Sequence, residues 1–173
     1  MPAIAFVTDS ADQTRSLGAN LGRLLSPGTV VLLHGDLGAG KTTLTQGIAL
    51  GLGIHEPIQS PTFTLVAEHK AQSGGSAVTR LYHLDLYRLA GADDLDSIGW
   101  DQYLSSPDAV VVVEWPERAG TWLPDEYLLV NLEPSGPDQR RITIEAVPPN
   151  GGLVDVIAAA RHAVPVSLAR TPP

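Results

Sequence analysis

The chain has 173 residues, 43% hydrophobic and 17% charged, which is enough for one hydrophobic core and unlike the low-hydropathy, high-charge composition of a disordered chain. Cysteine is absent, which excludes disulfides, thiolate metal sites and thiol nucleophiles and suits a reducing cytoplasm. With 11 Lys+Arg against 19 Asp+Glu the formal net charge is -8, and no basic run offers the phosphate-neutralising stripe of a self-sufficient tRNA or DNA binder, so any nucleic acid is expected to be held by a partner.

Met1 to Asp9 has no basic n-region, and no apolar run approaches the ~18 residues of a membrane span, so neither secretion nor membrane insertion is expected. Ser10 to Gln13 reads as a capping box, and Leu17, Leu21, Leu24 and Leu25 follow at helical spacing until Ser26-Pro27-Gly28 stops the pattern, predicting a helix over 11–25. The apolar run Thr29 to Leu33 predicts a short buried strand. It leads through a Gly-rich segment into Lys41 to Leu52, where Leu44, Ile48 and Leu52 share a helical face.

After Pro57, Phe63 to His69 and Val78 to Leu86 predict a hairpin around a turn at Gln72 to Ser76. Asp93 or Asp94 is the expected cap of a helix carrying Leu95, Ile98 and Tyr103, and Ala109 to Val113 is a second buried strand, ending in Glu114-Trp115-Pro116. Tyr127 to Glu133 and Arg140 to Val147, split by Pro134-Ser135-Gly136-Pro137, predict another hairpin. A short helix is expected at Leu153 to Arg161 and a loose end at Val164 to Pro173. The expected architecture is α/β: a single P-loop NTPase domain over residues 1–150 with a mixed, partly antiparallel sheet flanked by helices, followed by a short C-terminal helix and loose tail over 151–173.

Gly35-Asp36-Leu37-Gly38-Ala39-Gly40-Lys41-Thr42 matches the Walker A pattern G-x-x-x-x-G-K-[ST] at every fixed position, between an apolar strand and an amphipathic helix. In that context the glycines let backbone N–H groups and the helix N-terminus face an anion. Lys41 is then expected on the β- and γ-phosphates of ATP, and Thr42 on Mg²⁺. A P-loop also needs a carboxylate at the end of a neighbouring strand, and two segments qualify. Glu114 follows Val110 to Val113, and Asp85 lies in His83-Leu84-Asp85-Leu86, turned with His83 away from the leucines. His83 itself reads as a satisfied or solvated surface histidine. In Ser60-Pro61-Thr62-Phe63 the Thr62 hydroxyl is either a γ-phosphate sensor or an exposed turn residue.

Taken together, Gly35 to Thr43, Ser60-Pro61-Thr62-Phe63-Thr64-Leu65-Val66, His83-Leu84-Asp85-Leu86-Tyr87-Arg88-Leu89 and Glu114-Trp115-Pro116-Glu117 resemble the TsaE (YjeE) family of bacterial ATPases, from about Ser10 to Val147. The resemblance implies an accessory ATPase in the synthesis of threonylcarbamoyladenosine on tRNA. Such a protein acts with the TsaB–TsaD pair, while TsaD, TsaB and TsaC carry out the carbamoyl-transfer chemistry, so tRNA is met only through the complex. It implies Thr42 and Glu114 as the Mg²⁺-linked residues, Asp85 as needed for activity, and the Thr62 loop and Trp115 near nucleotide or partner. Adenine contacts are implied around Thr8 to Thr14 and near Arg140. Phe63 stands where tyrosine is frequent in the family.

Two other readings compete. A small-molecule P-loop kinase usually carries several arginines on a lid, yet between Lys41 and Arg80 only Lys70 is basic. An ATP-gated binding module without turnover would use Glu114 and Asp85 only to tune Mg²⁺ affinity.

Overall fold

The computed structural model of the protein describes residues 3–72, 77–149 and 151–163. In chain order its elements are β1 (Ala3–Thr8), α1 (Ala11–Leu24), β2 (Val30–His34), α2 (Lys41–Gly51), β3 (Val66–Lys70), β4 (Arg80–Asp85), α3 (Leu95–Ile98), α4 (Trp100–Leu104), β5 (Ala109–Glu114), β6 (Tyr127–Pro134), β7 (Arg140–Val147) and α5 (Gly151–Ala163). A 3-10 segment lies at Ala92–Asp94, and a second stretch at Pro116–Trp122 is kinked at Gly120 (φ 56°).

β2 and β5 are the most apolar strands, and Val30 to Leu33 and all of β5 are buried. Such strands need cover on both faces, which only the middle of a sheet provides. The seven strands accordingly form one sheet in the order β1-β7-β6-β2-β5-β4-β3. β6, β2, β5 and β4 run parallel, while the outer pairs β1/β7, β7/β6 and β3/β4 are antiparallel. One face is covered by α1, α2 and α5, which contribute Leu17, Leu21, Leu44, Ile48 and Ile157; the other carries Leu95, Trp100 and Ala119 from the shorter helical segments. Alternation along β5 sends Val110 and Val112 to the first face and Val111 and Val113 to the second.

The helices α1 and α2 cross with their backbones almost touching. A Cβ on Gly18 would lie 2.4 Å from the Leu44 carbonyl oxygen, and one on Gly47 would lie 2.1 Å from that of Arg15. Small residues spaced four apart, Gly18 and Gly22 on one helix and Gly47 and Gly51 on the other, permit this approach.

Both expected hairpin pairings are present, and the sheet is mixed as anticipated, but several local expectations need correction. β1 was not anticipated. It alternates Ile4, Phe6 and Thr8 inward and pairs with β7 at the far end of the sequence. The strand expected from Phe63 begins only at Val66, because Leu65 takes a left-handed conformation (φ 65°) and its N–H closes a turn onto the Pro61 carbonyl. The single helix expected after Asp93 is broken by Gly99 (φ 77°) into α3 and α4, and neither Asp93 nor Asp94 makes a side-chain cap. The C-terminal helix is longer than expected and buries Val156, Ile157 and Ala160 in the same core as β1 and β7. The expected loose stretch Val164 to Pro173, and most of the expected turn at Gln72 to Ser76, lie outside the described residues.

Candidate functional site

On the face shared with α2, β4 presents Leu81, His83 and Asp85 in turn, and β5 presents Val110, Val112 and Glu114. Both strands thus change from apolar to ionisable side chains as they approach their carboxyl ends, where crevices open in sheets of parallel strands. Their register sets Asp85 directly opposite Glu114. Lys41, His83, Asp85 and Glu114 are all buried.

The Gly-rich loop from Gly35 to Gly40 joins the end of β2 to the start of α2. Gly38 (φ 77°) and Gly40 (φ 104°) adopt left-handed conformations, and Gly40 caps α2 without any side-chain acceptor for the first-turn N–H groups. Those donors are available to an anion. The Lys41 ammonium donates to the carbonyl oxygens of Gly35 and, at 2.9 Å, of Asp36, and it lies 4.1 Å from the centre of the Trp115 ring. Trp115 reaches this position through a left-handed backbone (φ 59°) that also sets its ring 4.9 Å from that of Tyr87. Burial pushes the Lys41 ammonium below its ordinary pKa, against the upward pull of Glu114, Glu117, Asp85 and Asp36.

The Thr42 hydroxyl donates to Glu114 Oε1 at 3.0 Å, and His83 Nε2 lies 2.8 Å from the same oxygen. His83, expected at the surface, is fully buried because β4 is packed on both faces: Leu81 joins the core with Leu44 and Ile48 of α2 on His83's side, and Tyr82 and Leu84 join the core with Leu95 and Trp100 on the other. Asp85 is engaged differently. Its Oδ2 accepts from the hydroxyls of Ser60 and, at 2.9 Å, Thr62, and its Oδ1 accepts from the Tyr87 N–H at 2.9 Å. Thr62 is therefore bound to an acidic side chain rather than exposed on a plain turn. Ser60 was missed as a site residue, although its place two residues before Thr62 was visible.

These side chains surround a cleft of about 320 Å³ lined by Leu37, Gly38, Ala39, Gly40, Lys41, Thr42, Thr43, Ser60, Thr62, Asp85, Tyr87, Glu114 and Trp115. Of the residues anticipated for the site, Leu37 to Thr43, Thr62, Asp85 and Glu114 meet there. Gly35 and Asp36 do not line it and contribute only the carbonyls that hold Lys41. A second hollow of about 150 Å³ shares Gly38, Gly40 and Thr43 with the first and is completed by Ser10, Ala11, Thr14, Asp138 and Arg140. The Arg140 guanidinium donates to the carbonyl oxygens of Ala39 (3.1 Å) and Gly38 (3.3 Å), bracing the loop from the β6–β7 hairpin. Thr8 shares a hydrogen bond of 2.8 Å with Thr14 beneath this hollow.

A Thr hydroxyl and two buried carboxylates facing one ammonium form an oxygen-rich, negatively biased set that suits a hard divalent cation. Among the described residues there is no group of three or more His, Cys, Asp or Glu side chains arranged to hold a metal alone. Mg²⁺ fits that pattern, since it commonly takes one or two protein oxygens and completes its shell with phosphates and water.

The fold and cleft define an α/β protein with a glycine-rich, lysine-bearing loop at the carboxyl edge of a mixed seven-stranded sheet. Residues 8–142 match the model of the family described as Threonylcarbamoyl adenosine biosynthesis protein TsaE, and the chain belongs to that family. It is 42% identical over 138 residues to the tRNA threonylcarbamoyladenosine biosynthesis protein TsaE of Treponema pallidum, covering 80% of this chain and 97% of that one. The Bacillus subtilis protein of the same name is 37% identical over 147 residues, covering 85% and 88%. The crystal structure of Bacillus subtilis YdiB superimposes with a TM-score of 0.69 at 31% identity, covering 92% of this chain and 95% of that one.

Proposed function

We propose that the protein is a P-loop ATPase that binds ATP with Mg²⁺ and hydrolyses it as an accessory of tRNA threonylcarbamoyladenosine modification, acting in the cytoplasm with the TsaB–TsaD complex. The observation that carries this reading is the convergence of Lys41, Thr42 and Glu114 in one cleft at the uncapped start of α2. In this reading the loop amides and Lys41 bind the phosphate chain in the larger cleft, and the nucleoside occupies the hollow between Ser10, Thr14 and Arg140. Thr42 and Glu114 would hold Mg²⁺, which when bound neutralises charge on the transferred phosphoryl group. Lys41 must leave the Gly35 and Asp36 carbonyls to meet the phosphates, exchanging neutral acceptors for charged ones. Asp85 holds the Ser60–Thr62 segment at the cleft, so release of Thr62 is the step by which a γ-phosphate could reorganise that loop.

The partner role is supported by two apolar side chains beside the nucleotide site, Leu37 (79% exposed) and Phe63 (82% exposed). The acidic chain needs no grip on tRNA of its own if that complex holds the tRNA. Phosphate release from ATP–Mg²⁺, measured alone and with TsaB–TsaD added, tests the proposal. Release stimulated by the partners is expected. Transfer of phosphate to a metabolite would mark a kinase, and tight binding without turnover would mark a gate.

A further inference from the structure

His83 is the one buried ionisable side chain of the site that the proposed chemistry leaves without a task. Its ring is fully buried, its Nε2 is 2.8 Å from Glu114 Oε1, and its Nδ1 is buried with no hydrogen-bond partner. An ionised carboxylate only accepts hydrogen bonds, so Nε2 carries the proton and donates. A buried ring left with an orphaned Nδ1 is costly if packing were its sole purpose, because an apolar side chain of similar volume would avoid that penalty. The bond to Glu114 is what offsets it.

The geometry at Glu114 is one-sided. Thr42 Oγ1 and His83 Nε2 both fall on Oε1, and among the described residues no donor is bonded to Oε2. Glu114 sits at the end of β5 beside the cleft, and its χ angles would otherwise let the two oxygens exchange roles. We propose that His83 is a positioning residue: with Thr42 it occupies Oε1 and fixes the carboxylate of Glu114, which lines the cleft, leaving Oε2 as the oxygen for the metal. This rests on the ATP–Mg²⁺ reading of that cleft. The arrangement corresponds to the outer partners of metal ligands elsewhere, which fix a ligand's orientation without touching the metal.

The test uses binding rather than turnover as its main readout. Affinity for a non-hydrolysable ATP analogue is measured with and without Mg²⁺ in the wild type and in His83→Leu, His83→Asn and His83→Gln, each checked for folding by thermal melting. Leu fills the volume without a donor, Asn keeps an amide but is too short to reach Glu114, and Gln extends an amide N–H to about the place of Nε2. The Mg²⁺-dependent gain in affinity is expected to fall about tenfold or more in the Leu and Asn variants, the loss typical when the partner of a metal ligand is removed. Metal-free affinity should stay near that of the wild type, and Gln should restore most of the gain. If His83→Leu fails to fold, the Asn–Gln pair decides alone. An Mg²⁺ gain equal in all variants, or lost equally in Asn and Gln, overturns the positioning role while leaving the cleft reading intact. A wild type that gains nothing from Mg²⁺ overturns both.

Discussion

The α1–α2 crossing has no room for a methyl group at Gly47. A Cβ there would lie 2.1 Å from the Arg15 carbonyl oxygen and 2.9 Å from the Gly18 Cα. An ordinary carbon–oxygen contact is about 3.3 Å or longer, so Gly47→Ala must drive the two helices apart by on the order of 1 Å. Both obstructing groups are backbone, and no rotamer change relieves them. Separation of that size forfeits roughly a quarter to a half of the dispersion attraction of the atoms it parts, here around Leu17, Leu21, Leu44 and Ile48. Overpacking costs about 1–3 kcal/mol, and the purely backbone obstruction puts this site at the upper end, about 3 kcal/mol; the better helix propensity of Ala returns about 1 kcal/mol, so a net loss of about 2 kcal/mol is expected. For a chain of this size that lowers the melting temperature by about 4–8 °C. Gly152→Ala is the matched control, since nothing lies within 4 Å of its added Cβ on α5. Thermal denaturation followed by circular dichroism should show a loss for Gly47→Ala and none for Gly152→Ala. Equal melting of both variants and the wild type would refute the close-packed crossing.

Arg140→Ala removes two donors from the loop carbonyls of Gly38 and Ala39; a net loss of about 1 kcal/mol should weaken nucleotide affinity about fivefold in a fluorescent-analogue titration, with little change in melting. Glu114→Ala should slow hydrolysis by about tenfold or more while weakening nucleotide binding less, because Lys41 and the loop amides still hold the phosphates; parallel losses in kcat and affinity would count against the metal role. Thr62→Ala should lower partner-stimulated hydrolysis and leave ADP affinity nearly unchanged. Hydrogen exchange over residues 58–66 should then differ between the ATP-analogue and ADP complexes, and equal protection with partners present would mean the loop does not switch.

The parts of the fold that the sequence made legible are those governed by local pattern. The strand–loop–helix around Lys41, the buried run before Glu114 and the two hairpins all follow from periodicity and turn residues close in the chain. What escaped depends on distant partners. β1 alternates correctly, but its pairing with β7 joins Ala3 to Glu145, and no neighbouring turn announces it. His83 was expected outside because one polar face on a strand is ordinary, and only the layers packed on both faces of β4, from α2 on one side and from Leu95 and Trp100 on the other, bury it. Gly99 and Leu65 broke elements that propensity would have continued, each through a left-handed backbone that hydrophobic spacing does not encode. The glycine pairs at 18/22 and 47/51 were visible at their spacing of four, and their meaning emerged only when two helices were seen to share it. Within the site, Asp85 and Glu114 were identified from strand ends, whereas the Ser60 and His83 bonds that hold them depend on side chains brought together across the sheet.

The claim on which the functional account turns is that the loop around Lys41 binds ATP–Mg²⁺, and titration calorimetry of the wild type and Lys41→Ala tests it most directly. Measurable ATP–Mg²⁺ binding by the wild type and its loss in the variant are expected, with thermal melting run alongside so that the loss is read from a folded protein, because removing the buried ammonium also leaves Asp85 and Glu114 without their facing cation. Micromolar ATP binding retained by a folded Lys41→Ala protein would contradict that claim.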